Sequence, residues 1–78
     1  MRGFHQGKWY AEVYESTRHV GIKTLSVDQF DTEKERDKFI TDYNQILFTH
    51  GGIVPRVYTM ATEPSIYLIN DFLKGKYK

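Results

Sequence analysis

The segment "FDTEKERDKFITDYNQILFTHGG", residues 30 to 52, constrains the fold of this chain more than any other. Thr32 followed three residues later by Glu35 forms a T-x-x-E capping box, in which a hydroxyl and a carboxylate satisfy free backbone N–H groups at a helix start. Glu33 and Glu35 lie in the first turn, where the helix dipole favours acids. Glu33–Arg36, Lys34–Asp37 and Glu35–Lys38 are opposite charges at i,i+3. Phe39, Ile40, Tyr43, Ile46 and Leu47 form one apolar stripe, and Gly51 and Gly52 suit a left-handed C-cap. A helix is expected over 32–49. Its stripe needs a second apolar surface.

The residues before it supply one. "KWYAEVYE" alternates, with Trp9, Ala11 and Val13 on one side and Tyr10, Glu12 and Tyr14 on the other. "HVGIKTLS" alternates too, and "STRH" between them suits a four-residue hairpin loop. That loop sets Val13 opposite Ile22 and Glu12 opposite Lys23. The expectation is a core face of Trp9, Ala11 and Val13 under the helix, and an outer face of Tyr10, Glu12, Tyr14 and Lys23.

Beyond the helix, "IVPRVYTMA" reads as a third strand, with Pro55 restricting it to an edge. "TEPSIYLINDFLKGKYK" reads as a second helix over 64–74. Thr62 or Glu63 would cap it, Pro64 would fill its first turn, Ile66, Ile69 and Leu73 would form its stripe, and Gly75 would end it. Read instead as a strand, "SIYLI" would form a hairpin with 56–60. The fold class is α+β, order ββαβα, with a small antiparallel sheet of about three strands packed against a long helix. The 78 residues are expected to form a single domain, 1–78, with 1–7 and 75–78 as flexible, weakly packed ends.

Several chemistries find no support in these residues. There is no cysteine, and His5, His19 and His50 share no ligand spacing, so neither a metal nor a cofactor is expected. Ser16, Ser26 and Ser65 lie outside any nucleophile elbow, and the glycine pair at 51–52 lacks the spacing of a phosphate loop. The reading is therefore not an enzyme. No apolar run approaches the roughly 20 residues of a membrane span, and a cytoplasmic protein is expected. A net charge of +1, from 11 basic and 10 acidic residues, is far from the footprint of a dedicated nucleic-acid binder.

Binding remains. The chain has one Trp, six Tyr and five Phe, and the six tyrosines exceed what so small a core absorbs, because each buried hydroxyl needs a partner. Tyr10, Glu12, Tyr14 and Lys23, with Arg18 and His19 from the hairpin loop, form the candidate partner-binding face. Phe48 and Met60 fall off the core phase and would add to a contact site if exposed. A protein partner fits the tyrosine enrichment of interfaces. DNA is the alternative, with Arg18, Lys23 and Arg56 on phosphates. A free strand edge would also permit a homodimer.

Lys8-Trp9, Ala11, Val13-Tyr14 and the later Phe30, Thr32 and Glu35 give the chain a resemblance. Over residues 8–40 it resembles the arm-site DNA-binding N-terminal domain of phage-type tyrosine integrases. That resemblance implies a short sheet backed by one helix, with DNA contacted by the outer sheet face. In style, a compact tyrosine-rich chain without catalytic motifs is also similar to small accessory proteins of phages and mobile elements. Those bind and block host proteins, which implies a host-protein partner and an inhibitory or modulating role in the host cytoplasm.

Overall fold

The computed structural model describes residues 2–17, 21–50 and 58–77. The element order is β1 (Phe4–His5), β2 (Lys8–Thr17), β3 (Gly21–Phe30), α1 (Glu33–His50), β4 (Tyr58–Thr62) and α2 (Ile66–Leu73). All strand pairing is antiparallel. β2 runs through the middle. β3 flanks one side of it, and β1 and β4 share the other side end to end. This is the expected α+β architecture, with one strand more than the sequence indicates.

That additional strand comes from the segment read as a weakly packed lead-in. His5 pairs with Lys8 across a two-residue turn in which Gln6 and Gly7 have φ of 50° and 78°. Left-handed geometry at both central residues is the type I′ turn, whose twist matches that of the strands it joins. Gly3 then bridges the two short edge strands: it donates to the Pro64 carbonyl, and its own carbonyl accepts from Tyr10 N–H. A Cβ at Gly3 would come within 3.1 Å of Glu63 Cβ, and its φ is 77°, so no other residue fits without strain.

The β2–β3 register also departs from expectation. Thr17 pairs with Gly21, so Lys23 lies opposite Glu15 and Ile22 opposite Ser16. An odd shift in pairing moves side chains to the other face. The proposed Glu12–Lys23 pair is thereby replaced by Glu12 opposite Val27. A bulge at Val13/Tyr14 leaves Leu25 as the extra residue between Thr24 and Ser26, and restores the phase beyond it.

α1 starts as predicted: Glu35 N–H donates to Thr32 Oγ1 at 3.1 Å. It lies over the sheet face of Trp9, Ala11 and Val13. Phe39 packs against Phe30 and Tyr43, with ring centroids 5.2 and 5.8 Å apart. Ala11 and Val13 are buried there, together with Ala61 opposite Val13. The C-cap at Gly51 and Gly52, the segment around Pro55, and the side chains of Ile46, Leu47, Phe48 and Met60 lie outside the described residues.

α2 takes the helical alternative. Ser65 occupies the N-cap, without a side-chain capping bond, in place of Thr62 or Glu63. After Leu73 the chain turns back, with Lys74 N–H donating to Asn70 O and Gly75 N–H to Phe72 O. The segment 75–77 is packed: Tyr77 lies half-buried against the core, and Lys76 Nζ stands 5.7 Å from its ring centroid. Crucially, α2 lies on the sheet face opposite α1. Tyr10, Val27 and Ile69 form its buried cluster, with Leu68 and Phe72 packed around them.

Candidate functional site

The face expected to be displayed is largely enclosed. Tyr10 is only 1% exposed. Its ring meets Phe72 edge-on at 5.7 Å, and its hydroxyl accepts from Gln29 Nε2 at 2.9 Å. The hydrogen bond answers the need of a buried phenol for a partner. Glu12 is 4% exposed and accepts from Thr24 Oγ1 at 2.7 Å. Both residues are therefore corrected from surface to interior. The alternation was read properly, but alternation alone does not show that a second layer covers the other face.

The remaining members of the predicted face disperse. Tyr14 is half-buried and points, like Tyr10 and Glu12, to the α2 side. Lys23 is exposed, but pairing with Glu15 places it on the opposite side of the sheet. Arg18 and His19 lie outside the described residues. No single surface contains Tyr10, Glu12, Tyr14 and Lys23 together.

Polar side chains concentrate instead around Arg36, whose only predicted role was a pair with Glu33. Arg36 is 4% exposed. Its guanidinium stands 5.1 Å from the Trp9 ring centroid, and its Nε donates to Asp37 Oδ1 at 2.8 Å. Nη1 lies 2.6 Å from Glu63 Oε1 without the alignment of a hydrogen bond, and Nη2 is 3.7 Å from Glu33. This cluster ties α1 to the junction of β1, β2 and the β4–α2 connection. A cation held by three carboxylates and an aromatic face is a structural joint.

Among the described residues, Asp28 and Lys8 titrate away from their ordinary values. Burial raises the Asp28 carboxyl above 3.8. The Lys8 ammonium is raised above 10.5, first by its hydrogen bond to Asp31 and then by that carboxylate's charge. The Lys8–Asp31 pair fastens the start of β2 to the residue that precedes α1's cap. Among the described residues no group of three or more His, Cys, Asp or Glu is placed to hold a metal ion. No described helix is long and apolar enough to cross a membrane.

The surface that stands out is on α2. Six of the eight residues in "IYLINDFL" are apolar or aromatic. Leu68, Ile69 and Phe72 turn to the core. Ile66, Tyr67 and Leu73 are 43%, 78% and 50% exposed, with exposed Asn70 among them. The predicted stripe of Ile66, Ile69 and Leu73 is thus corrected: only Ile69 is in the core. A 3.6-residue period places 66, 67, 70 and 73 on one side of the helix. A helix this apolar carries more apolar surface than its core-facing side alone covers. That composition was the available signal in the sequence. Ile22 and Leu25 on β3 are also exposed, the first near the hairpin tip and the second at the bulge.

Comparison of the chain with protein-family models, curated proteins and solved structures finds no match.

Proposed function

We propose that this chain is a non-catalytic binding domain whose partner is a protein, contacted through the outer face of α2. The observation that carries the reading is the exposure of Ile66, Tyr67 and Leu73 on a helix whose other side packs Leu68, Ile69 and Phe72 towards the core. Exposed aromatic and aliphatic side chains grouped together resemble the centre of a protein interface, where tyrosine is enriched. Lys74 and Lys76 supply a polar rim. The role proposed is that of a small accessory protein that binds a host protein and modulates its activity.

Duplex binding through the sheet receives less support. The face that an integrase-like arm-site domain would present is the one on which α2 lies, with Tyr10 and Val27 beneath it. Among the described residues of the predicted face, the exposed cation Lys23 projects to the other side.

The test is affinity capture from bacterial lysate, with and without nuclease, using the wild-type chain and Tyr67→Glu. A protein recovered by the wild type, retained after nuclease and lost with Tyr67→Glu is the expected result. Tyr67 is so exposed that Tyr67→Glu should shift unfolding stability by no more than about 0.5 kcal/mol, which urea denaturation checks. Recovery that persists in Tyr67→Glu would place the contact elsewhere. Recovery that collapses with nuclease would favour DNA.

A further inference from the structure

The two helices are held to the sheet in different ways. α1 starts on the Thr32 cap and is tied through Arg36 to Trp9 and Glu63. α2 has eight residues, no side-chain capping bond at Ser65 and no acid in its first turn. A helix shorter than about 12 residues is marginal in water by itself, so α2 is helical because it is docked. Ile69 is its one buried residue. Leu68 and Phe72 flank Ile69 on the sheet side. Tyr77, brought back by the turn after Leu73, packs against the same cluster of Tyr10, Val27 and Ile69.

The chain just before α2 is fastened separately. Gly3 N–H donates to the Pro64 carbonyl at 3.0 Å, and Arg36 Nη1 lies 2.6 Å from Glu63 Oε1. Neither contact uses a residue of 65–77. Ala11, Val13 and Ala61 are buried on the face of the sheet away from α2.

We infer that α2 is a hinged cover. Residues 66–77 lift as one unit about Ser65, with Glu63 and Pro64 still clamped and the sheet and α1 still folded. Tyr77 is the latch. Lifting uncovers Tyr10 and Val27 on the sheet, and Leu68, Ile69 and Phe72 on the helix. A unit held by few buried side chains opens at a lower free energy than the whole domain. Tyr10 N–H donates to the Gly3 carbonyl at 2.7 Å, a bond that α2 does not share. That amide therefore stays protected while its ring is uncovered. The inference does not depend on what contacts the outer face of α2.

Native-state hydrogen exchange of the full chain, read by NMR, tests this. The amides of Ile69 to Leu73 should exchange together, with protection about tenfold or more below that of the β2 amides, Tyr10 among them. Tyr77→Ala removes the latch. It should lower protection in α2 about tenfold further and leave β2 unchanged. The chain has no cysteine, and Val27 is 3% exposed beneath α2, so Val27→Cys supplies a single covered thiol. Its labelling by a thiol reagent should quicken about tenfold when Tyr77→Ala is added.

One protection factor shared by α2 and β2, and moved equally by Tyr77→Ala, means that α2 leaves only on global unfolding and overturns the inference. Exchange graded from the ends of α2 and indifferent to Tyr77 is fraying, and overturns it too. So does thiol labelling that Tyr77→Ala leaves unchanged. The outcome is separable from capture of a lysate protein. Tyr67-dependent capture by a chain whose α2 does not lift removes the cover and keeps the docking face. A lifting α2 on a chain that captures nothing keeps the cover and removes the protein partner.

Discussion

Replacing Tyr10 with alanine removes a ring enclosed between β2 and α2, and should cost about 3–4 kcal/mol in urea denaturation. Tyr10→Phe keeps the ring and leaves Gln29 without its acceptor, a loss of about 1 kcal/mol. Were Tyr10 instead the contact residue its place in the strand suggested, the alanine variant would fold normally. Asp28 gives a second test at this scale. Its folded pKa lies above 3.8 because burial disfavours the charged form. The folded chain then binds the proton more tightly than the unfolded chain, so ionised Asp28 opposes folding at neutral pH. The penalty is relieved as pH falls through the interval between the raised value and 3.8. Asp28→Asn should therefore be more stable than wild type at pH 7. The difference should shrink on acidification through that interval, as paired thermal melts would show. A difference that grows towards acid would reverse the assignment.

At the scale of elements, the joints decide more than the elements themselves. α1 is encoded locally by its cap and charge pairs, and the Glu35–Thr32 bond is present. What anchors it is Arg36, buried against Trp9 and the carboxylates of Glu33, Asp37 and Glu63. Arg36→Met retains volume but leaves three carboxylates without their cation. Those carboxylates are partly hydrated, so the expected loss is about 2 kcal/mol, less than for a fully buried pair. Chemical denaturation with a Glu63→Gln background measures the coupling. An additive double variant would show that Arg36 and Glu63 are neighbours without mutual stabilisation. In the sequence, Arg36 was one more charge in an i,i+3 ladder. Trp9 and Glu63 are 27 residues away on either side, and no helical periodicity connects them.

For the whole molecule, the sheet is a middle layer with one helix on each side. That arrangement makes the first residues structural. Deleting residues 1–6 removes β1, the Phe4–Trp9 ring contact at 4.5 Å, and the bonds of Gly3 to Pro64 and Tyr10. The urea midpoint should fall by the equivalent of about 2 kcal/mol or more. An unchanged midpoint would return 1–7 to the weakly packed lead-in that its composition suggests.

Local signals in the sequence determined much of this protein. Alternation in 8–14 separated Trp9, Ala11 and Val13 from Tyr10, Glu12 and Tyr14. Thr32 and Glu35 marked the start of α1, and the order ββαβα followed from the succession of periods. These are short-range regularities, set by backbone geometry and legible from neighbouring residues. The β3 register was not, because it depends on where the hairpin turns and on a bulge at Leu25 that no period announces. Which side chains stay exposed was not legible either. Whether Tyr10 or Tyr67 meets solvent is decided by where α2 settles. α2 crosses the far side of the sheet because Tyr10, Val27 and Ile69 can bury one another there. That is a long-range packing choice, and only the tertiary structure makes it.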